Sequence, residues 1–207
     1  FYKNKFKRIE KKLNIIVENK VIYVADNLGY VYAYDRVNKK ISWAKNYKVP
    51  FSSNLKIYKN KLIVSNQNNT LYILDKNNGN ILKLIPTEET YIKNKFENNL
   101  SSDGNGKLFF LNSFGSIYSI NLNDLELMWF NNINQSLDLT PSNLFFGNKI
   151  VNTEKQLIIS SNTKTYLIDI NTGSIVKKFN FASAVKPIII NDIVYFLTDN
   201  NFLIALD

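Results

Sequence analysis

Residues 23–35 read YVADNLGYVYAYD: an apolar run, a short polar turn, and a second run in which inward and outward side chains alternate. This order predicts a β-hairpin, because successive side chains of a strand point to opposite faces. Gly29 lies where a tight turn requires a positive φ. This hairpin is the unit that decides the fold.

The hairpin recurs four more times along the chain. Its counterparts are IVSNQNNTLYILD (63–75), FFLNSFGSIYSIN (109–121), LIISSNTKTYLID (157–169) and YFLTDNNFLIALD (195–207). Counted from Asp35, the closing residues are 40, 46, 48 and 38 residues apart. A period of about 40 to 50 residues is typical of propeller blades or solenoid units.

Further strands flank each hairpin. Apolar runs precede it at 13–17, 55–58 and 187–190, and the segments KISWAKNY, NILKLI, LELMWF and SIVKKFNF follow it. Four antiparallel strands per repeat predict an all-β chain, namely a β-propeller of four-stranded blades. We expect one propeller domain or propeller fragment over residues 1–207, with five repeats at about 12–52, 53–97, 98–139, 140–183 and 184–207.

The composition excludes several chemistries. The chain has 26 basic and 17 acidic residues, a net charge of +9, and neither His nor Cys. Imidazole-based triads, thiol nucleophiles, disulfides and Cys/His metal sites are therefore excluded. The basic excess consists of 24 Lys beside 33 Asn and 25 Ile, which is typical of an A/T-rich genome. Because only two residues are Arg, the side chain favoured for base readout, we expect no nucleic-acid partner.

A spaced motif follows the closing residue of each repeat. The only two tryptophans, Trp43 and Trp129, both lie eight residues past that position, and Lys83 and Lys177 replace them in two other repeats. An indole can fill the wedge between blades, an Asp can cap a turn, and a Gly can take a left-handed conformation. We therefore expect structural roles for Asp35, Trp43, Asp75, Gly79, Trp129, Asp169, Gly173 and Asp207.

Together with YAYD, YILD, YLID, ALD, NNG and NTG, this motif resembles the PQQ-like β-propeller repeat over residues 12 to 207. Members of that family commonly have seven or eight blades, so the resemblance implies that the chain is part of a larger propeller. The alternative is that the N-terminal FYKNKFKRI supplies the missing fourth strand of the last blade and closes a small ring.

Within that family the chain is most similar to the BamB subfamily of outer-membrane β-barrel assembly lipoproteins. The resemblance implies a non-catalytic protein-binding scaffold without cofactor or metal, located in the periplasm of a bacterium and associated with the outer membrane. It implies the periplasmic domains of a β-barrel insertase as partner. Membrane association is then indirect, or through an anchor outside this chain.

Partner contacts are expected in the two longest loops, Thr87–Asn99 and Asn131–Asn148, because loops carry recognition on a rigid scaffold. The candidate contact residues are Tyr91, Lys93, Lys95, Phe96, Leu137 and Leu139. The second loop also presents Phe145 and Phe146, for which the alternative is a strand that packs inward. Exposed strand edges are a further candidate, since they can accept an extended peptide by β-augmentation.

Two other functions stay open. PQQ-like repeats also occur in luminal stress sensors and receptor ectodomains, which act by self-association. They also occur in quinoprotein dehydrogenases, which stack PQQ on a Trp and bind Ca²⁺. Both tryptophans here occupy the structural repeat position, Asp103-Gly104-Asn105-Gly106 is too short for a calcium loop and is typical of a turn, and the pairs Glu88-Glu89 and Asp124/Glu126 border loops or turns. We therefore expect no catalytic residues.

Overall fold

The computed structural model describes residues 10–89, 97–134, 145, 147, 149–161, 163–183, 185–191 and 193–207. Within these ranges the regular structure consists entirely of β-strands. No helix there is able to cross a membrane. The chain divides into two compact units, Phe1–Tyr91 (unit 1) and Ile92–Asp207 (unit 2).

Unit 1 contains two four-stranded antiparallel sheets whose strands pair in chain order. The first sheet, blade 1, consists of β1 (Leu13–Glu18), β2 (Val21–Asp26), β3 (Tyr30–Asp35) and β4 (Lys40–Asn46). The second, blade 2, consists of β5 (Lys56–Tyr58), β6 (Lys61–Ser65), β7 (Leu71–Asp75) and β8 (Ile81–Ile85).

Unit 2 contains three antiparallel sheets whose strands also pair in chain order, two with four strands and one with three. Blade 3 consists of β9 (Asn99–Ser102), β10 (Lys107–Leu111), β11 (Ser116–Asn121) and β12 (Glu126–Asn132). Blade 4 consists of β13 (Val151–Asn152), β14 (Gln156–Ser160), β15 (Thr165–Asp169) and β16 (Ile175–Phe179). Blade 5 consists of β17 (Ile188–Ile190), β18 (Ile193–Leu197) and β19 (Leu203–Leu206). The predicted all-β fold of four-stranded antiparallel propeller blades is confirmed.

The core lies between neighbouring blades of the same unit. In unit 1 it is formed by Tyr23, Ala25, Val31 and Ala33 of blade 1 and by Leu62, Val64, Tyr72 and Leu74 of blade 2. In unit 2 it includes Phe109, Leu111 and Ile117 of blade 3 and Leu157, Ile159 and Ile168 of blade 4. The second and third strands of blade 2, β6 and β7, are mostly buried, whereas its outer strand β8 is mostly exposed.

Each blade has two distinct ends, because its strands alternate in direction. At the paired-turn end, the turn between the first and second strands lies beside the turn between the third and fourth. A backbone hydrogen bond joins the two turns, as from Arg36 N–H to Lys20 C=O (2.9 Å) and from Ile170 N–H to Lys155 C=O (2.9 Å). The single-turn end carries the turn between the second and third strands.

A register shift recurs in the four blades that have a described fourth strand. It falls directly after the residue opposite the tryptophan position, as between Ala33 and Tyr34 in blade 1 and between Ser119 and Ile120 in blade 3. A β-bulge re-aims a side chain that a regular ladder would direct elsewhere. The shift pairs Trp43 with Ala33.

The sequence pattern missed β9 and β13. The strand β9 has the sequence NLSS and β13 has the sequence VN, so neither contains an apolar run. Both are first strands of a blade and are defined by pairing to β10 and β14. Pairing to an apolar neighbour, rather than intrinsic pattern, makes these residues strands.

Candidate binding surfaces

Trp129 fastens blade 3 to blade 4. Its Nε1–H donates a hydrogen bond to the Ile170 carbonyl (3.1 Å), and its ring lies flat against Gly173. A Cβ atom on Gly173 would lie 2.3 Å from Trp129 Cε3, and the φ of Gly173 is 72°. The Asn131 side-chain amide also donates to the Gly173 carbonyl (2.7 Å). Only glycine satisfies both the backbone conformation and the indole at this position.

Trp43 makes the same contact between blades 1 and 2. Its Nε1–H donates to the Lys76 carbonyl (2.9 Å), and a Cβ on Gly79 would lie 2.6 Å from its ring. The Tyr47 hydroxyl donates to the Gly79 carbonyl (2.5 Å), and burial raises the pKa of Tyr47 to about 12. Within each unit, the tryptophan of one blade is therefore matched by the glycine of the next.

The residue at the tryptophan position of the fourth strand is paired with a residue of the third strand, and the sizes of the two are correlated. Each tryptophan is opposite a small residue, Ala33 or Ser119. The lysines that replace tryptophan, Lys83 and Lys177, are opposite the large residues Ile73 and Leu167. A small neighbour leaves room for an indole in the wedge between blades, whereas a branched neighbour occupies part of that space.

The closing aspartates hold the turn between the third and fourth strands. The Asp169 carboxylate accepts the backbone N–H groups of Thr172 (2.8 Å) and Asn171 (2.9 Å) and the Thr172 hydroxyl (3.0 Å). Asp35 accepts the N–H groups of Val37 and Asn38 in the same way. These hydrogen bonds, led by the backbone N–H of Thr172 for Asp169 and of Asn38 for Asp35, lower the pKa of both carboxyls.

Asp75 accepts the N–H of Asn77 (2.7 Å) in the corresponding turn of blade 2. Asp207 is exposed at the end of the described chain, beside β19. The carboxylates that the sequence marked as motif residues thus lie at the paired-turn ends of their blades.

The lowered pKa of Asp169 predicts an acid-sensitive turn. A carboxyl whose pKa is lower in the folded state stabilises that state fully above its ordinary value of 3.8, and this stabilisation is lost as the pH falls through the folded-state pKa. We expect Asp169→Asn to keep an acceptor for the turn but to flatten the acid limb of stability. Urea midpoints measured from neutral pH into the acid range test this, and an unchanged acid limb in the variant would contradict it.

The single-turn end of blade 2 anchors the start of the first predicted contact loop. The Thr87 hydroxyl donates to the Asn69 carbonyl (2.6 Å), and the Asn69 side-chain amide donates to the Glu88 carbonyl (3.0 Å). Asn69 is fully buried and has a φ of 66°. The candidate residues Tyr91, Lys93, Lys95 and Phe96 lie outside the described residues.

The single-turn end of blade 3 holds both sides of the second loop. Ile133 N–H donates to the Gly115 carbonyl (2.9 Å), and Phe145 N–H donates to the Ser113 carbonyl (2.8 Å). Phe145 is buried in the core of unit 2 but does not belong to a strand. Ile133 and Phe145 are therefore both held at the same turn of blade 3.

The remaining predictions for this loop fall outside the described residues. These are the candidate contact residues Leu137 and Leu139, and Phe146.

An open cleft lies in unit 2. Its volume is about 1020 Å³, and its apolar lining comes from Leu167, Ile189, Val194 and Leu206. Its polar lining includes Asp103, Asn105, Glu154 and Asp207. Leu167 is the residue opposite Lys177, so the cleft borders a wedge in which lysine replaces tryptophan.

Two blade faces expose apolar side chains. On β1 of blade 1, Leu13, Ile15 and Val17 are 48%, 56% and 57% exposed. On blade 5, exposed apolar residues include Ile188, Ile190 and Leu203. Among the described strands, β19 is the outer strand of the one sheet that has three strands instead of four.

The other acidic residues considered in the sequence serve turns. Asp103 Oδ1 accepts the N–H groups of Asn105 and Lys107 between β9 and β10, and Asp124 Oδ1 accepts the N–H of Glu126. In the described part of the chain, no three acidic residues come close enough to hold a metal ion.

Comparison with protein families agrees with this architecture. The family model described as "Outer membrane protein assembly factor BamB" matches residues 7–207. The chain belongs to the BamB family. The match includes all five blades, so the Trp–Gly contacts and aspartate turns described above are features of a BamB-family propeller.

Solved structures show the same fold. The crystal structure of BamB from Moraxella catarrhalis superposes with a TM-score of 0.75 at 16% identity, covering 94% of this chain and 60% of that one. Sqt1 from Saccharomyces cerevisiae gives 0.70 at 13% identity and coverages of 96% and 59%. The computationally designed protein Ika8 gives 0.69 at 9% identity and coverages of 92% and 56%.

The chain thus spans about three fifths of the length of each of these proteins. A search of curated protein sequences gives no match.

Proposed function

We propose that the chain is a non-catalytic scaffold that binds protein partners during the assembly of outer-membrane β-barrel proteins in the periplasm. The family match over residues 7–207 carries this proposal. The chemistry of the described residues supports it, because the motif carboxylates of Asp35 and Asp169 accept hydrogen bonds from their own turns. Carboxylates held in this way are not directed at a shared substrate.

The partner contacts are assigned to the loops at the single-turn end, and the partner to the periplasmic domains of a β-barrel insertase. The candidate contact residues are Tyr91, Lys93, Lys95, Phe96, Leu137 and Leu139. Anchoring of the loop ends by Asn69, Ser113 and Gly115 supports this assignment. Loops with fixed ends lose less conformational entropy on binding, and aromatic side chains are effective anchors.

Site-specific photo-cross-linking in solubilised cell envelope tests the proposal. A photoreactive residue replaces Phe96 or Leu137 in the full chain, and matched controls carry it at the exposed positions Asn77 and Asn123 of the paired-turn ends. We expect mass spectrometry to recover the β-barrel insertase from the loop positions and not from the control positions. Folded chains that give no insertase adduct, or that give it equally from all four positions, would contradict the assignment.

Further blades are proposed to cover the exposed apolar faces of blades 1 and 5. Propeller blades normally bury both faces, whereas Ile15 and Ile188 are 56% and 61% exposed. The 60% coverage of the BamB structure supports a larger propeller of seven or eight blades. The sequence leaves open a single propeller domain or a propeller fragment over residues 1–207, and on this proposal the chain is a fragment.

Self-association is the second candidate function, as in a luminal or receptor ectodomain. The outer strand β19, which pairs with no fourth strand among the described residues, and the exposed side chain of Leu203 favour it, because an edge strand with apolar neighbours can pair with a second copy. Light scattering over a concentration series separates the two candidates. A mass that rises with concentration favours self-association, and a strict monomer favours the assembly scaffold.

A further inference from the structure

The paired-turn ends of blades 1 and 2 are strongly basic. They carry seven basic residues, Lys20, Arg36, Lys39, Lys40, Lys59, Lys61 and Lys76. They carry three acidic residues, Glu18, Asp35 and Asp75. The corresponding turns of blades 3 and 4 carry two basic residues, Lys107 and Lys155, against five acidic ones, Asp103, Asp124, Glu126, Glu154 and Asp169.

This asymmetry is not explained by composition. The same lysine-rich chain supplies the turns of both units, at equivalent positions of the same repeat. A codon bias acts on the whole chain, so it raises the number of lysines in all blades alike. The excess on blades 1 and 2 therefore marks one particular surface, which we name the basic turn edge: Lys20, Arg36, Lys39 and Lys40 of blade 1 with Lys59 and Lys61 of blade 2.

The acidic residues near this edge are engaged locally. Glu18 forms an ion pair with Lys76, with 2.6 Å between Oε2 and Nζ, so the two opposite charges compensate each other. Asp35 is held by the N–H groups of Val37 and Asn38. The side chains of Lys20 and Arg36 are exposed in adjacent turns that a backbone hydrogen bond joins, and the charge of Lys20 also interacts with the Asp35 carboxylate.

Apolar side chains stand among the cations. Val37, between Arg36 and Lys39 at the tip of its turn, is 66% exposed, and Ile41, next to Lys40, is 59% exposed. Cations interleaved with exposed apolar side chains are typical of surfaces that sit in the headgroup region of an anionic bilayer. Lysine side chains attract negative charge as point charges. They lack the two parallel N–H donors with which arginine recognises a single phosphate. Both features fit a diffuse anionic surface better than one bound anion.

We propose that the basic turn edge rests directly on an anionic lipid bilayer. The lipid phosphate groups contact the four basic side chains of blade 1, Lys20, Arg36, Lys39 and Lys40. Val37 reaches the boundary between headgroups and acyl chains. The first contact loop leaves blade 2 from its opposite, single-turn end, where Asn69 holds Thr87. The bilayer contact and the first contact loop therefore lie at opposite ends of blade 2, and neither depends on the other. The contact adds to the indirect membrane association expected from the sequence.

Vesicle flotation of the purified full chain tests this inference. The vesicles contain phosphatidylglycerol and phosphatidylcholine in equal parts, or phosphatidylcholine alone. The test variant combines Lys20→Gln, Arg36→Gln, Lys39→Gln and Lys40→Gln, and the matched control combines Lys164→Gln, Lys177→Gln, Lys178→Gln and Lys186→Gln. Both variants lower the net charge by the same amount, and circular dichroism verifies that both are folded.

We expect the wild-type chain to float with the anionic vesicles only. Each basic residue at such a surface contributes roughly fivefold, so the test variant, which loses four of them, should bind about 600-fold more weakly, whereas the control changes little. Val37→Ser should weaken binding by about fivefold through the lost apolar contact.

Three results would overturn the proposal. The first is equal loss of binding in the two quadruple variants, which indicates a general charge effect. The second is an unchanged affinity in Val37→Ser, which removes the bilayer insertion. The third is binding to an acidic peptide or to nucleic acid, but not to the vesicles. Because no insertase is present, failure here leaves the proposed assembly role unaffected.

Discussion

Replacing Trp129 with alanine lowers the free energy of unfolding by about 3 kcal/mol, whereas Lys177→Ala at the same repeat position changes it by less than about 0.5 kcal/mol. Trp129 loses its ring packing against Gly173 and its hydrogen bond to the Ile170 carbonyl. Its small neighbour Ser119 cannot fill the space that is left. Lys177 is exposed, so little packing is lost there.

Urea unfolding followed by circular dichroism measures this difference without relying on tryptophan fluorescence. The two substitutions are matched in blade position, because each residue lies eight positions past the closing residue of its repeat. Equal effects of the two substitutions would show that the indole does not fasten blade 3 to blade 4.

Gly173→Ala is the second large effect, and Gly104→Ala is its control. Both glycines have a left-handed backbone, with φ values of 72° and 79°. A Cβ on Gly173 meets Trp129 at 2.3 Å, whereas a Cβ on Gly104 meets no atom within 4 Å. Backbone strain costs roughly 1 to 2 kcal/mol at both sites, and overpacking adds roughly 1 to 3 kcal/mol at Gly173 alone. We expect losses of about 3 kcal/mol for Gly173→Ala and about 1 kcal/mol for Gly104→Ala.

A double-mutant cycle separates the two causes. In a Trp129→Ala background the indole is absent, so Gly173→Ala should cost only about 1 kcal/mol, as at Gly104. The same urea titrations provide the measurement. If Gly173→Ala costs the same with and without the indole, the steric contact between the blades does not contribute to stability.

The sequence predicted the repeat and its motif residues, but not their partners. The position of Trp43 is visible because it lies eight residues past Asp35, a local spacing. Its acceptor, the Lys76 carbonyl, is 33 residues away and becomes a neighbour only through packing of one blade on the next. The bulge after Ala33, which sets the direction of the indole, leaves no clear compositional signal.

The size pattern of the residues opposite the tryptophan position is present in the sequence, but it can be interpreted only when the pairing of the third and fourth strands is known. The small residues Ala33 and Ser119 and the large residues Ile73 and Leu167 occupy one repeat position, two before the closing residue. Their relation to Trp or Lys appears once strand pairing places them opposite each other.

The lysine excess is typical of an A/T-rich genome, and a total count of lysines gives no information about where they lie in the fold. Its concentration on the paired-turn ends of blades 1 and 2 emerges only from the strand order. The short strand β13, with the sequence VN, was missed because two residues contain no periodicity.

The most direct test of the central claim is a binding titration between the purified full chain and the purified periplasmic domains of a β-barrel insertase. We expect saturable binding that Phe96→Ala and Leu137→Ala weaken by about tenfold or more, because truncated anchors typically cost above roughly 1.4 kcal/mol. Gly104→Ala, with open space around its Cβ, should leave the affinity unchanged. Absence of binding by the folded chain would contradict the assembly-scaffold function, and unchanged binding by both loop variants would contradict the assigned contact surface.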